Sequence, residues 1–123
     1  MHLKNVLLVV KDIYISTEFY KRYFGLQVLR DFGTNVILSE GLVLQERETW
    51  IKEMGLECTT IVDTTERGSG ISSELYFEDT NLEAFHKLVT EDMIVTPLYV
   101  NMAGQKVLRV SDPDGHFIEI REV

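Results

Sequence analysis

The groups from which a binding or catalytic site could be built are Asn5, Gln45, Arg47, Glu74, Tyr76, Arg109 and Glu119, with Arg121 two residues beyond the last. Glu119 lies in the run Phe117-Ile118-Glu119-Ile120, which reads as a β-strand. Strand side chains alternate between faces, so Ile118 and Ile120 share one side and Phe117, Glu119 and Arg121 the other. Two glutamates held close, Glu74 and Glu119, could work as an acid/base pair with one raised pKa. Glutamate and arginine on one face could instead bind a polar ligand, or pair internally and do nothing else.

Other chemistries have less support. Gly68-Ser69-Gly70 lacks the lysine and helix of a phosphate loop. No Ser/His/Asp set can be assembled from spacing alone. Of the three histidines, His2 is near the start, His86 sits between Phe85 and Lys87 on a predicted helix, and His116 follows a turn at a strand start. Net charge is −8, which argues against a nucleic-acid surface and would suit a cationic ligand or mere solubility. Cys58 stands alone and reads as a small hydrophobe in a reducing compartment. No apolar run is long enough to span a bilayer, and Val6 to Val10 is too short for a signal peptide core. The expected location is cytoplasmic. Apolar residues make up 45% of the chain, enough for the core of one domain.

The elements that must position these groups follow from periodicity and turn chemistry. Leu3 to Val10 is apolar on both faces apart from Lys4 and Asn5, and reads as a buried strand. A helix is expected from Ile15 to Phe24, with Ile15, Phe19 and Tyr23 on its apolar side and Gly25 as its stop. Three short strands follow, Leu26–Arg30, Asn35–Ser39 and Leu42–Arg47, with turns at 31–34 and 40–41. Trp50–Met54 suggests one helical turn, 57–63 an extended run, and 64–70 a linker. Ser72–Glu78 then reads as a strand, and Thr80-Asn81-Leu82-Glu83 as a capping box opening a second helix, with Leu82, Phe85, Leu88 and Val89 inward. Ile94–Val100, Lys106–Val110 and His116–Arg121 are three more strands. Asp112-Pro113-Asp114-Gly115 is a type I turn signal between the last two. Pro97 must lie at an edge or bulge.

The order of elements is βαβββ twice. The fold class is therefore α+β: tandem βαβββ modules whose mixed, curved sheets form a cleft or partial barrel with helices outside. Residues 1–123 make one domain, with modules at about 1–63 and 71–123. If each helix covers one face of its sheet, alternation sends Asn5, Gln45, Arg47, Glu74, Tyr76, Arg109 and Glu119 to the other face. There they mix with Leu7, Val9, Val43 and Phe117. Such a mixture suits a ligand cavity, and these seven are the expected ligand-binding residues.

Phe19-Tyr20 and Phe24-Gly25-Leu26 on the early helix, Asp12 before it, and the late GQKVLRVSDPDGHFIEI resemble the vicinal oxygen chelate superfamily: glyoxalase I, extradiol dioxygenases, and bleomycin and fosfomycin resistance proteins. The resemblance covers nearly the whole chain. In the family's metalloenzymes the first, fourth, fifth and eighth strands each give one ligand to a divalent metal. Carried over, those positions are Asn5, Gln45, Glu74 and Glu119. None is histidine, and zinc, nickel and iron(II) favour imidazole or thiolate. No cofactor is therefore expected, and Glu74 and Glu119 remain the candidates for a hard divalent metal.

The resemblance implies a small-molecule-binding protein of the glyoxalase/bleomycin-resistance type without a standard transition-metal site. Trp50, Tyr76 and Tyr99 are candidate stacking surfaces. The alternative is a metal-dependent lyase, isomerase or dioxygenase using Glu74 and Glu119; a third is an interaction domain with an unused cavity. A small-molecule ligand and a homodimer are the expected partners, with no nucleic acid and no membrane.

Overall fold

Asp12 ends one element and begins the next. In the computed structural model, which describes residues 1–55 and 73–123, its carboxylate accepts a hydrogen bond from the Ile15 amide at 3.0 Å. This N-cap starts helix α1 at Ile13, and the helix runs to Phe24. Gly25 closes it in the left-handed region, φ 66°, and the amides of Gly25 and Leu26 both return to the Tyr20 carbonyl. The Phe24-Gly25-Leu26 motif is thus a helix stop whose next side chain, Leu26, is buried. The buried stripe of α1 is Ser16, Phe19 and Tyr20. Ile15, expected inside, lies off that stripe and is exposed.

The described residues fall in two compact units, Met1–Thr65 and Glu66–Val123. In the first, α1 follows β1 (Val6–Val10) and precedes β2 (Val28–Asp31), β3 (Asn35–Leu38) and β4 (Leu42–Glu46). The sheet order is β1-β4-β3-β2, with β1 parallel to β4 and the other neighbours antiparallel. Leu42, Val43, Leu44 and Gln45 are all buried, as a central strand requires. β1 is an edge strand and shorter than its apolar run. Leu3, Val6 and Leu7, expected buried, are exposed: Leu3 precedes the ladder to β4, which begins at Val6, and Val6 and Leu7 lie on the edge strand.

Helix α2 (Arg47–Met54) corrects one boundary. Arg47 was expected to end the fourth strand and point with Gln45; instead it is the first helical residue and half-buried. The physical cause is local. The Thr49 hydroxyl bonds the Glu46 carboxylate across the first turn, and Glu48 complements the helix N-terminus. Gly55 closes α2 in the left-handed region.

The second unit repeats the plan: β5 (Glu74–Asp79), α3 (Leu82–Leu88), β6 (Ile94–Val100), β7 (Lys106–Ser111) and β8 (Phe117–Glu122). Its order is β5-β8-β7-β6, again with the first and last strands parallel. The tandem βαβββ reading and the α+β class hold. Pro97 sits on the edge strand β6, where the register also shifts. The cap of α3 is Asn81, not Thr80: its side chain accepts from the Ala84 amide, while Glu83 pairs with Lys106 instead of turning back. Leu88, expected inward, is exposed because α3 ends there. Cys58, the extended run 57–63 and the linker 64–70 lie outside the described residues, as does the start of the expected strand at Ser72.

Candidate functional site

Helix α3 identifies the covered face of its sheet. Glu122 on β8 accepts from the Leu82 amide at 2.9 Å, and Lys106 on β7 reaches Glu83 at 3.0 Å. By alternation Glu122 shares its face with Ile118 and Ile120, and Lys106 shares its face with Leu108 and Val110; those four apolar residues are fully buried. Glu119, Arg121 and Arg109 therefore point the opposite way.

The register then brings the polar residues together. Glu119 stands opposite Arg109 on β7 and Tyr76 on β5. Glu119 is only 2% exposed, and both its oxygens are engaged. Oε1 accepts from Arg109 Nη2, and Oε2 accepts from Arg121 Nε at 2.7 Å. Arg109 goes on to donate through Nη1 to the Tyr99 hydroxyl at 3.2 Å, and its Nε lies 3.7 Å from Glu74. Arg109 stacks on the Tyr99 ring and Arg121 on the Tyr76 ring, at 5.8 and 5.1 Å from the centroids. The Tyr99 hydroxyl bond raises the Arg109 pKa and the Glu119 bond raises that of Arg121, so both stay charged. Thr96, opposite Arg109 on β6, adds a buried hydroxyl with no hydrogen-bond partner among the described residues.

Glu74, Tyr76, Arg109 and Glu119 are thus one cluster, and it includes Arg121, Tyr99 and Thr96. Arg121 was legible as the residue two beyond Glu119 on the same strand face. Thr96 had no signal, because the register of β6 shifts on both sides of it.

The first-unit residues are arranged differently. Gln45 pairs with Asn35 across the β3–β4 ladder, its Oε1 accepting from Asn35 Nδ2 at 2.7 Å. Asn5 lies beside Gly41, where an added Cβ would come 3.8 Å from Asn5 Oδ1. Gln45 stands opposite Val9, four strand positions along from Asn5, or roughly 13 Å. The two amides are not brought to one point within this unit, and Arg47 stands beyond Gln45 on α2.

The donor set does not fit a divalent cation. The oxygens of Glu119 face two guanidiniums, which would repel a metal placed there, and the Gln45 oxygen is taken by Asn35. A second group, Asp112, Asp114 and His116, holds potential ligand atoms within 4.8 Å of one another. Its bonds build the turn between β7 and β8. Asp112 Oδ1 accepts from the Asp114 and His116 amides, each at 2.9 Å, and Oδ2 meets His116 Nδ1 at 2.7 Å. The Gly115 amide returns to the Asp112 carbonyl, as the type I reading required. Burial works against charge on His116, but Asp112, helped by Asp114, outweighs it and raises the imidazole pKa.

The family model for the glyoxalase-like domain matches residues 3–123. A protein of unknown function from Agrobacterium tumefaciens str. C58 is 30% identical, with a TM-score of 0.84 over 100% of this chain and 94% of that one. A glyoxalase/bleomycin resistance protein/dioxygenase family enzyme from Burkholderia phytofirmans PsJN is 22% identical, TM-score 0.77, over 100% and 99% of the two chains. A glyoxalase-related enzyme from Fulvimarina pelagi is 19% identical, TM-score 0.78, over 99% and 88%. Among curated proteins, none matches.

Proposed function

Since the chain belongs to the glyoxalase-like family of the vicinal oxygen chelate superfamily, we propose that it binds a small molecule without a transition metal, in the manner of the family's resistance-type members. One observation carries this reading: Glu119, at a position where the superfamily's metalloenzymes hold a ligand, is buried with both oxygens bonded to arginines. A metal-dependent lyase, isomerase or dioxygenase on Glu74 and Glu119 would first have to separate Glu119 from both guanidiniums. The binding residues are Glu74, Tyr76, Arg109 and Glu119. Asn5, Gln45 and Arg47 lie on the other unit and rest on the resemblance and on alternation.

Net charge of −8 supports a partner that is not nucleic acid. Among the described residues no helix is long and apolar enough to cross a membrane. The single cysteine supports a cytoplasmic location. A homodimer is supported by the exposed apolar residues Leu3, Val6 and Leu7 at the edge strand β1. Sedimentation velocity should give twice the chain mass; a monomer at all concentrations would remove that part.

The test of the main reading is metal content after purification without chelator. Sub-stoichiometric metal is expected after dialysis. Manganese, nickel, zinc or iron retained near one per chain would overturn the reading.

A further inference from the structure

The two arginines of the cluster are not equivalent. Arg109 uses all three nitrogens: Nη2 on Glu119, Nη1 on Tyr99 and Nε near Glu74. Arg121 uses only Nε, on Glu119. Its two terminal nitrogens have no hydrogen-bond partner among the described residues, and its side chain is 35% exposed. Glu78, opposite Arg121 in the ladder, makes no bond to it.

This guanidinium is also held still. One edge is fixed by a 2.7 Å bond to a buried carboxylate, and one face by the Tyr76 ring. A planar fork fixed at Nε presents its remaining donors in parallel, the arrangement that takes both oxygens of a carboxylate. Tyr76 and Tyr99, 50% and 40% exposed, put flat apolar surface beside it. A cationic ligand is disfavoured at the same place, since each tyrosine ring already carries an arginine and an incoming cation would meet like charge.

We infer that Arg121 is the anchor for the carboxylate of an aromatic acid, with Tyr76 and Tyr99 flanking the ligand's ring. This rests on the proposed small-molecule-binding function and names the ligand class. The net charge of −8 opposes approach of an anion at long range, so low affinity at low salt and little loss on adding salt are expected.

The test uses the full chain and three phenyl probes of similar size, benzoate, benzamide and benzylamine, titrated by calorimetry or NMR. Benzoate should bind saturably at millimolar concentration, with benzamide and benzylamine at least about tenfold weaker, because a charged hydrogen-bond pair separates them. Arg121→Gln should weaken benzoate about ten- to a hundredfold. Arg121→Lys keeps a cation beside Glu119 and so preserves the fold, yet loses the fork; it should weaken benzoate about tenfold as well. Benzylamine binding tighter than benzoate, no saturable benzoate binding, or unchanged benzoate affinity in Arg121→Lys would each overturn the inference. Metal content separates this failure from that of the parent reading. A metal-free chain that prefers benzylamine remains a binder but not of acids, whereas a stoichiometric metalloprotein loses the parent reading itself.

Discussion

Replacing Glu119 with glutamine keeps size and shape and removes one charge from the centre of the second sheet. Glutamine can still accept from one arginine, but its amide nitrogen then faces the other, donor against donor. Removing one partner of a buried ion pair costs about 3–5 kcal/mol. Here the arginine side chains remain 28% and 35% exposed, so water compensates in part and about 2–3 kcal/mol is the working value. A chain of 123 residues is stable by roughly 6–18 kcal/mol, so the loss is large without being fatal. With a urea slope of about 1–3 kcal/mol/M, the midpoint should fall by about 0.7–3 M at neutral pH with the slope unchanged. Adding Arg121→Gln should cost less than the sum of the two single changes by about 1 kcal/mol, because the second loss removes a charge the first left unpaired. A Glu119→Gln midpoint within about 0.2 M of the parent, or strict additivity, would refute the view that this carboxylate binds the sheet together.

Thr96→Val removes a buried hydroxyl that has no partner among the described residues while keeping the β-branched shape; urea melts should show a gain of about 1 kcal/mol, and a loss would mean the hydroxyl is satisfied. His116 has a raised pKa from its pairing with Asp112. The stability it contributes is therefore complete below the unfolded value of 6.5 and is lost as pH rises through the higher folded value. Melting temperature across pH 5–9 should show that loss in the parent and a flatter profile in His116→Gln. Asn81→Ala removes the cap of α3 and should cost about 0.5–2 kcal/mol in the same melts.

Much of the cluster was legible because alternation is strict along a paired strand, even at the edge of a sheet. Leu75 and Phe77 turn one way, and Glu74, Tyr76 and Glu78 the other, as their period of two demands. The Asp112–Gly115 turn could be read from residue type alone, and it sets which residue of β7 meets which of β8. What alternation could not give was where a strand stops. Arg47 lost its place beside Gln45 because Glu46 and Thr49 favour a helix start there. Nor could it give distance along a ladder: Asn5 and Gln45 share a parity but not a position. The three contacts of Arg109 and the free edge of Arg121 depend on side-chain reach, which spacing does not encode.

The strand order has a consequence for how each unit forms. In both sheets the last strand in sequence takes an interior place, so β8 must slide in beside β5, its residue Phe117 pairing with Glu74 from 43 positions earlier (117 − 74). During synthesis β5, β6 and β7 exist before it, with the hydrophobic sides of Leu75, Phe77, Leu108 and Val110 waiting for Ile118 and Ile120. Closing so long a loop is slow, and a half-made sheet offers unsatisfied backbone to other chains. Arg109 meets its buried counter-ion only once Glu119 arrives, so the late strand both completes the ladder and pairs that charge.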